Sequence, residues 1–127
     1  MKLLLDTSAF IWWVESSPKL APATREVIAS PRNQVHVSAA SIWEIAIKVA
    51  KGKLTITGSA PDEIERNGFL PLSITPRHAD AIRLVDMPHS DPFDRLIVAQ
   101  AIAENLTLVH ADQHMCAVPG LSQLWAR

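Results

Sequence analysis

The sequence predicts an α/β fold: a small, mostly parallel sheet between two layers of helices, in one domain over residues 1–127. Three observations predict it. Short apolar runs alternate with longer segments of helical character, and that alternation calls for right-handed β-α-β crossovers. Only four glycines occur against nine prolines, and the prolines stand at the joints. That distribution suits helices on short loops better than tight hairpins. A chain of 127 residues, 48% hydrophobic, is the size of one domain and buries roughly two thirds of the surface its unfolded form exposes.

The elements follow in order. Residues 2–5 form a continuous apolar run, the pattern of a strand covered on both faces. A helix follows over 8–15, and Pro22 opens a second over 22–29. Residues 35–37 read as a strand. Ser38 is an N-cap for a long helix to Lys51, stopped by Gly52. A short helix covers 62–67, ended by Gly68, before a strand at 69–72. Thr75 caps a helix with Pro76 at its first position, running to about residue 86. Asp91 and Pro92 repeat that signature for a helix over 92–104. A strand follows at 106–109, then a short helix after Asp112 and a last strand at 121–125.

Composition narrows the function. Twelve Lys and Arg against thirteen Asp and Glu give a net charge of -1, so nucleic acid would be met through a local patch or a metal, not through bulk charge. The single cysteine, Cys116, excludes an internal disulfide and a Cys-rich zinc site and points to a reducing compartment. Asp6 ends the first apolar run far short of the ~7–15 residues of an export signal. No run approaches the ~20 apolar residues of a membrane span. The expected location is the cytoplasm.

In parallel sheets, functional groups gather beyond the carboxyl ends of the strands. Asp6 follows the first strand directly, and Asp112 lies three residues after Val109. Each also reads as a helix cap. In the 38–51 helix, Ser41, Glu44, Lys48 and Lys51 fall in one stripe about 80° wide at 100° per residue. Taken alone, that stripe reads as a solvated face with a Glu44–Lys48 pair worth ~0.2–0.5 kcal/mol. Asp91 reads as a cap. Asp94 sits at the third position of a helix that is apolar almost all round, where a buried carboxylate needs a partner. If Asp6, Glu44, Asp94 and Asp112 converge, with Asp91 beside them, their like charges raise one another's pKa. A cation among them relieves that cost, and all-oxygen ligands suit Mg²⁺ or Mn²⁺.

These residues resemble a PIN-domain ribonuclease, and within that group a VapC-type toxin of a toxin–antitoxin pair. The matching blocks are Leu4-Leu5-Asp6-Thr7-Ser8, Ser41-Ile42-Trp43-Glu44-Ile45, the stretch from His89-Ser90-Asp91-Pro92-Phe93-Asp94-Arg95 to Ala101, and Leu106 to Asp112. The resemblance implies a PIN-like, Rossmann-like three-layer sandwich and metal-dependent hydrolysis of RNA phosphodiesters with 5′-phosphate and 3′-hydroxyl products. It assigns Asp6, Glu44 and Asp94 as the principal metal-site acids, Asp112 as a more variable fourth, Asp91 as an additional acid and Ser8 as a small polar residue orienting the first acid. It further implies a homodimer and an antitoxin segment packed near the acidic edge. One departure is His110, where the family often has Thr or Ser; it bears on how the last acid is held.

Lys48, Lys51 and Arg95 are candidates to neutralise RNA phosphates, against an equal reading as ordinary solvated charges. Trp12 and Trp13 lie about 100° apart on the first helix. One ring then enters the core while the other lies partly outside, as a contact for antitoxin or the second subunit, against an equal reading with both rings buried in the monomer. Three rival readings are weaker. An aspartyl-nucleophile phosphatase wants a second Asp where Ser8 stands. A receiver-like signalling module wants an acidic pair after the first strand. A transition-metal site would use His110, Asp112 and His114.

Overall fold

The computed structural model describes residues 1–88 and 91–127, so His89 and Ser90, part of the third matching block, lie outside the described residues. Five strands, β1 (Lys2–Leu5), β2 (Gln34–Ser38), β3 (Leu70–Leu72), β4 (Thr107–His110) and β5 (Gln123–Trp125), form one sheet in the order β3-β2-β1-β4-β5. Every pairing is parallel. Between the strands run α1 (Thr7–Val14), α2 (Pro22–Ala29), α3 (Ala39–Ala50), α4 (Ala60–Arg66), α5 (Pro76–Ala81), α6 (Pro92–Ala103) and α7 (Gln113–Cys116).

β1 is central, and its alternation builds both cores. Leu3 and Leu5 face one cluster, with Phe10 of α1, Ile28 of α2, Ile45 of α3 and Ile64 of α4. Leu4 faces the other, with Leu96, Ile97 and Val98 of α6, Leu108 and Met115. All three leucines are fully buried, which is why the run is apolar without a polar alternate. Helix α3 contributes Ile45 to one cluster and Ala40 to the other. Among the described residues, no helix is long and apolar enough to cross a membrane.

The anticipated caps are present. The Ser38 hydroxyl accepts from Ala40 N–H at 2.9 Å, and Gly52 turns the chain with φ +70 after α3. Thr75 and His78 form a reciprocal capping box on α5. The helix expected to run to about residue 86 is shorter: α5 ends at Ala81, and residues Ile82–Leu84 tighten into a 3-10 turn. The strands expected at 69–72, 106–109 and 121–125 also shift or shorten, to Leu70–Leu72, Thr107–His110 and Gln123–Trp125.

A buried polar chain fixes α3 against α6. Ser38 donates to Gln100 Oε1, while Gln100 Nε2 donates to Ser73 O at 3.2 Å and to His78 Nδ1 at 3.3 Å. His78 Nδ1 also accepts from Thr75 N–H, so its proton sits on Nε2, 3.1 Å from Glu104 Oε1. Among the described residues, no buried side-chain polar atom lacks a partner. The chain holds in place the two helices that carry Glu44 and Asp94.

Candidate active site

The register places the acids. Leu5 pairs with Val37 on one side and Val109 on the other, so Asp6 emerges one residue beyond the centre of the sheet. Asp112 emerges just beyond β4. The strand order reverses direction between β1 and β4, the switch point at which such sheets open a crevice. Asp6 is buried, and its Oδ1 accepts from Ala9 N–H at 2.8 Å, so it also caps α1. The functional and capping readings of Asp6 are compatible because one oxygen serves the helix and the other is left over.

Glu44 is only 8% exposed. The Thr7 hydroxyl donates to its Oε1 at 2.7 Å and shares a 3.0 Å hydrogen bond with the Ser41 hydroxyl. Lys48 reaches Glu44 Oε2 at 2.9 Å. The polar stripe of α3 therefore divides: Ser41 and Glu44 turn inward, and Lys48 and Lys51 stay exposed. The ion pair expected of a solvated face exists, but it spans the boundary between the site and water.

Asp91 caps α6, its Oδ1 accepting from Phe93 N–H at 2.9 Å and Asp94 N–H at 3.0 Å. Asp94, half-buried, lies on the first turn. Asp6, Glu44, Asp91, Asp94 and Asp112 together line a single cavity of about 340 Å³. Thr7, Ser8, Lys48, Trp12, Ala111 and Arg127 complete its wall.

Crowded carboxylates alter their own acidity. Burial raises the Asp6 pKa to about 7, with the charges of Asp94, Glu44 and Asp112 adding to it against the Ala9 N–H. Asp94 is likewise raised to about 7, first by burial and then by Asp91, Glu44 and Asp112. Lys48 is raised by its hydrogen bond to Glu44 and by the surrounding negative charge. Perturbation of this kind, in a cavity at the switch point, makes these residues the candidate functional site.

The donor set fits a hard divalent cation. Its side-chain donors are carboxylates and hydroxyls, with no cysteine or histidine on the described wall. Among the described residues, no three of these groups already converge as a ready-made metal cluster. Glu44 is shared between Thr7 and Lys48, while Asp91 and Asp112 each give an oxygen to a helix N-terminus. Asp91 and Asp112 each keep a second carboxylate oxygen, whereas both Glu44 oxygens are engaged.

Asp112 is held by the departure from the family pattern. His110 is buried; its Nδ1 accepts from Asp112 N–H at 3.1 Å, and its Nε2–H donates to Gln123 Oε1 at 2.8 Å. The ring also meets Trp125 edge-on. An imidazole nitrogen thus accepts the backbone N–H of Asp112. Both ring nitrogens are occupied, which removes His110 from the rival transition-metal site.

Several expected residues fall elsewhere. Lys51 caps the end of α3 and does not line the cavity. Arg95 does not line the cavity: its guanidinium donates to Val85 O at 2.9 Å and Met87 O at 2.7 Å, tying the chain before α6 to that helix. Ser8 lines the cavity, but the groups that hold the acids are the Ala9 N–H and the Thr7 hydroxyl. Trp13 turns toward the core, donating to Asn67 Oδ1 at 3.0 Å and packing on Phe69. Trp12 lines the cavity. Arg127, absent from the sequence-derived set, joins it through the fold, with no local motif to announce it. Arg95→Ala is expected to cost about 1–3 kcal/mol of stability in a thermal melt and to leave cleavage by the folded protein unchanged. Lost cleavage at unchanged stability would return Arg95 to the site.

An all-parallel α/β sheet with an acidic cavity at its switch point places the chain among open α/β domains with a site beyond the carboxyl ends of the strands. The model of the PIN domain family matches residues 3–121, and the chain belongs to that family. Ribonuclease VapC16 of Mycobacterium tuberculosis is 41% identical over 59 residues, 43% of this chain and 42% of that protein. The match therefore spans less than half of the curated relative. The chain is similar in fold to the crystal structure of VapBC2 from Rickettsia felis bound to a promoter DNA fragment (TM-score 0.68, 17% identity, 98% of each chain). It is also similar to DNA-bound VapBC from Salmonella typhimurium (TM-score 0.66, 19% identity, 98% of this chain and 97% of that one). VapBC-5 from Mycobacterium tuberculosis matches with TM-score 0.60 at 18% identity, over 99% of this chain and 98% of that one.

Proposed function

We propose that residues 1–127 form one PIN domain acting as a Mg²⁺- or Mn²⁺-dependent endoribonuclease, the toxin of a VapBC-type pair. The observation that carries this reading is the single cavity lined by Asp6, Glu44, Asp91, Asp94 and Asp112, two of them with pKa values raised to about 7. The expected partners are RNA as substrate, a cognate antitoxin and a second copy of the chain, in the cytoplasm. The similarity to Ribonuclease VapC16 supports the reaction class, and the fold shared with VapBC complexes supports the antitoxin.

Asp6, Glu44, Asp94 and Asp112 would hold the ion, with Asp91 at the rim. When bound, it supplies Lewis acidity and lowers the pKa of water. The chain's own groups do the rest. The Ala9 N–H keeps Asp6 in one orientation, and Thr7 does the same for Glu44. Lys48 and Arg127 bring positive charge to a wall otherwise dominated by carboxylates, where an RNA phosphate must enter. Hydrolysis forms a bond from water oxygen to phosphorus and breaks the bond from phosphorus to O3′. Asp94 or Asp112, each partly open to solvent, is assigned the one proton released by the water, and the departing O3′ takes a proton from solvent to end as the 3′-hydroxyl.

Incubating the purified chain with single-stranded RNA in Mg²⁺ or Mn²⁺, and in chelator, tests the reading. Metal-dependent internal cuts bearing 5′-phosphates are expected; intact RNA under all conditions would refute it. Asp91→Ser separates rim from centre. Serine caps as well as aspartate, so most of the cleavage rate is expected to survive. A loss as deep as that of Asp94→Asn would make Asp91 a full member of the metal set.

A further inference from the structure

Resting on the nuclease reading, we propose that Trp12 and Arg127 form a nucleotide-binding wall inside the acidic cavity, with Trp12 stacking one unpaired base of the RNA and Arg127 meeting an adjacent phosphate. Trp12 packs one side against the core cluster of α1 and the sheet, while the residue also lines the cavity that holds the five carboxylates. The Arg127 guanidinium lies 5.9 Å from the ring centroid and lines the same cavity. That separation is at the outer limit of a cation–π contact, and the guanidinium lies over the ring face that a base would take. Trp13, its sequence neighbour, is committed to Asn67, Phe69 and Arg25. Among the described residues, Trp12 makes no such hydrogen bond or ring–ring contact, and its face opens to a base once Arg127 swings to the phosphate.

The chemistry selects a nucleotide. An aromatic face takes any base by stacking, and a guanidinium takes the phosphate beside it. A cavity of about 340 Å³ is near the small end of the ~300–1,000 Å³ of ligand sites. The wall is mostly polar, with one aromatic plane, which suits a base and phosphate better than a run of apolar peptide side chains. Trp12 then positions RNA so that the neighbouring phosphodiester lies at the carboxylates. This gives Trp12 an occupant other than the antitoxin or the second subunit.

The test is binding of a labelled eight-nucleotide single-stranded RNA, and of the same ribose-phosphate strand with every base removed, in Ca²⁺. It uses the wild-type chain, Trp12→Leu, Trp12→Phe and Arg127→Ala, with circular dichroism as a control for folding. Leucine keeps apolar packing without a π face, and phenylalanine keeps the face. Trp12→Leu is expected to weaken binding of the base-bearing strand about 5- to 150-fold and to leave the abasic strand unchanged, with Trp12→Phe retaining most of the affinity. Arg127→Ala is expected to weaken both strands and flatten their salt dependence. Equal weakening of both strands by Trp12→Leu, or no weakening of either, overturns the proposal. A wild-type chain that binds and cleaves RNA while Trp12→Leu behaves identically sinks the wall alone. One that neither binds nor cleaves sinks the nuclease reading with it.

Discussion

Asp94→Asn is expected to reduce metal-dependent RNA cleavage by about 10²–10³-fold or more, because a lost charged ligand removes several kcal/mol of transition-state stabilisation. Asp6→Asn should do the same. Both replacements are nearly isosteric with the original side chains, and the amide introduced by Asp6→Asn retains an oxygen for the Ala9 N–H, so the fold is expected to persist. The readout has two arms. Cleavage is followed on single-stranded RNA, and the rise in melting temperature on adding Mn²⁺ is followed without RNA. Wild-type protein gains stability from a ligand that binds the folded state alone; the two variants should gain little. Full activity in Asp94→Asn would remove Asp94 from the chemistry, and an unchanged Mn²⁺ response would remove it from the metal set.

Much of the fold was legible because each local signal agreed with its neighbour. The run at residues 2–5 was apolar at every position after Lys2 because both faces of β1 are covered. Ser38, Thr75 and Asp91 read as caps and are caps. What the sequence hid was the extent of the weaker elements. The segment after Ala81 has helical composition, yet it tightens at Ile82–Leu84 and then turns away, so that the Val85 and Met87 carbonyls meet Arg95. That is a tertiary contact, with no local signature to read.

The site was legible in its acids and not in their supports. Asp6 and Asp112 were located by the ends of their strands, and Asp94 by an isolated carboxylate on an apolar helix. Glu44 gave a conflicting signal, since its i,i+4 partner Lys48 reads as a solvated pair; only the packing of α3 shows the carboxylate turned inward while the ammonium stays out. Thr7 was part of a recognised block, but its hydroxyl partner lies 37 positions away. Arg127 comes to the cavity with the strand that pairs to β4, an outcome of sheet order that no spacing rule contains.

The same crowding makes the stability of the chain depend on pH in an unusual direction. A folded-state pKa of about 7 for Asp6 lies above the 3.8 of the free side chain, so between those values the folded chain binds more protons than the unfolded one. Stability in chelator therefore falls as pH rises through that window, at up to about 1.4 kcal/mol per pH unit for one such group. It levels off above the folded pKa. Asp6→Asn removes this contribution. In chelator the variant is expected to melt above wild type at pH 8, and the two should converge near pH 4, where Asp6 is protonated in the folded state and close to half-protonated in the unfolded one. Saturating Mg²⁺ should reverse the order at pH 8, because the cation offsets the repulsion in wild type and has lost a ligand in the variant. Melting curves at pH 4 to 8, with and without Mg²⁺, decide the matter. Parallel pH profiles for the two proteins in chelator would show that Asp6 is ionised without cost, and that the acidic cavity stores none of the energy a metal would release.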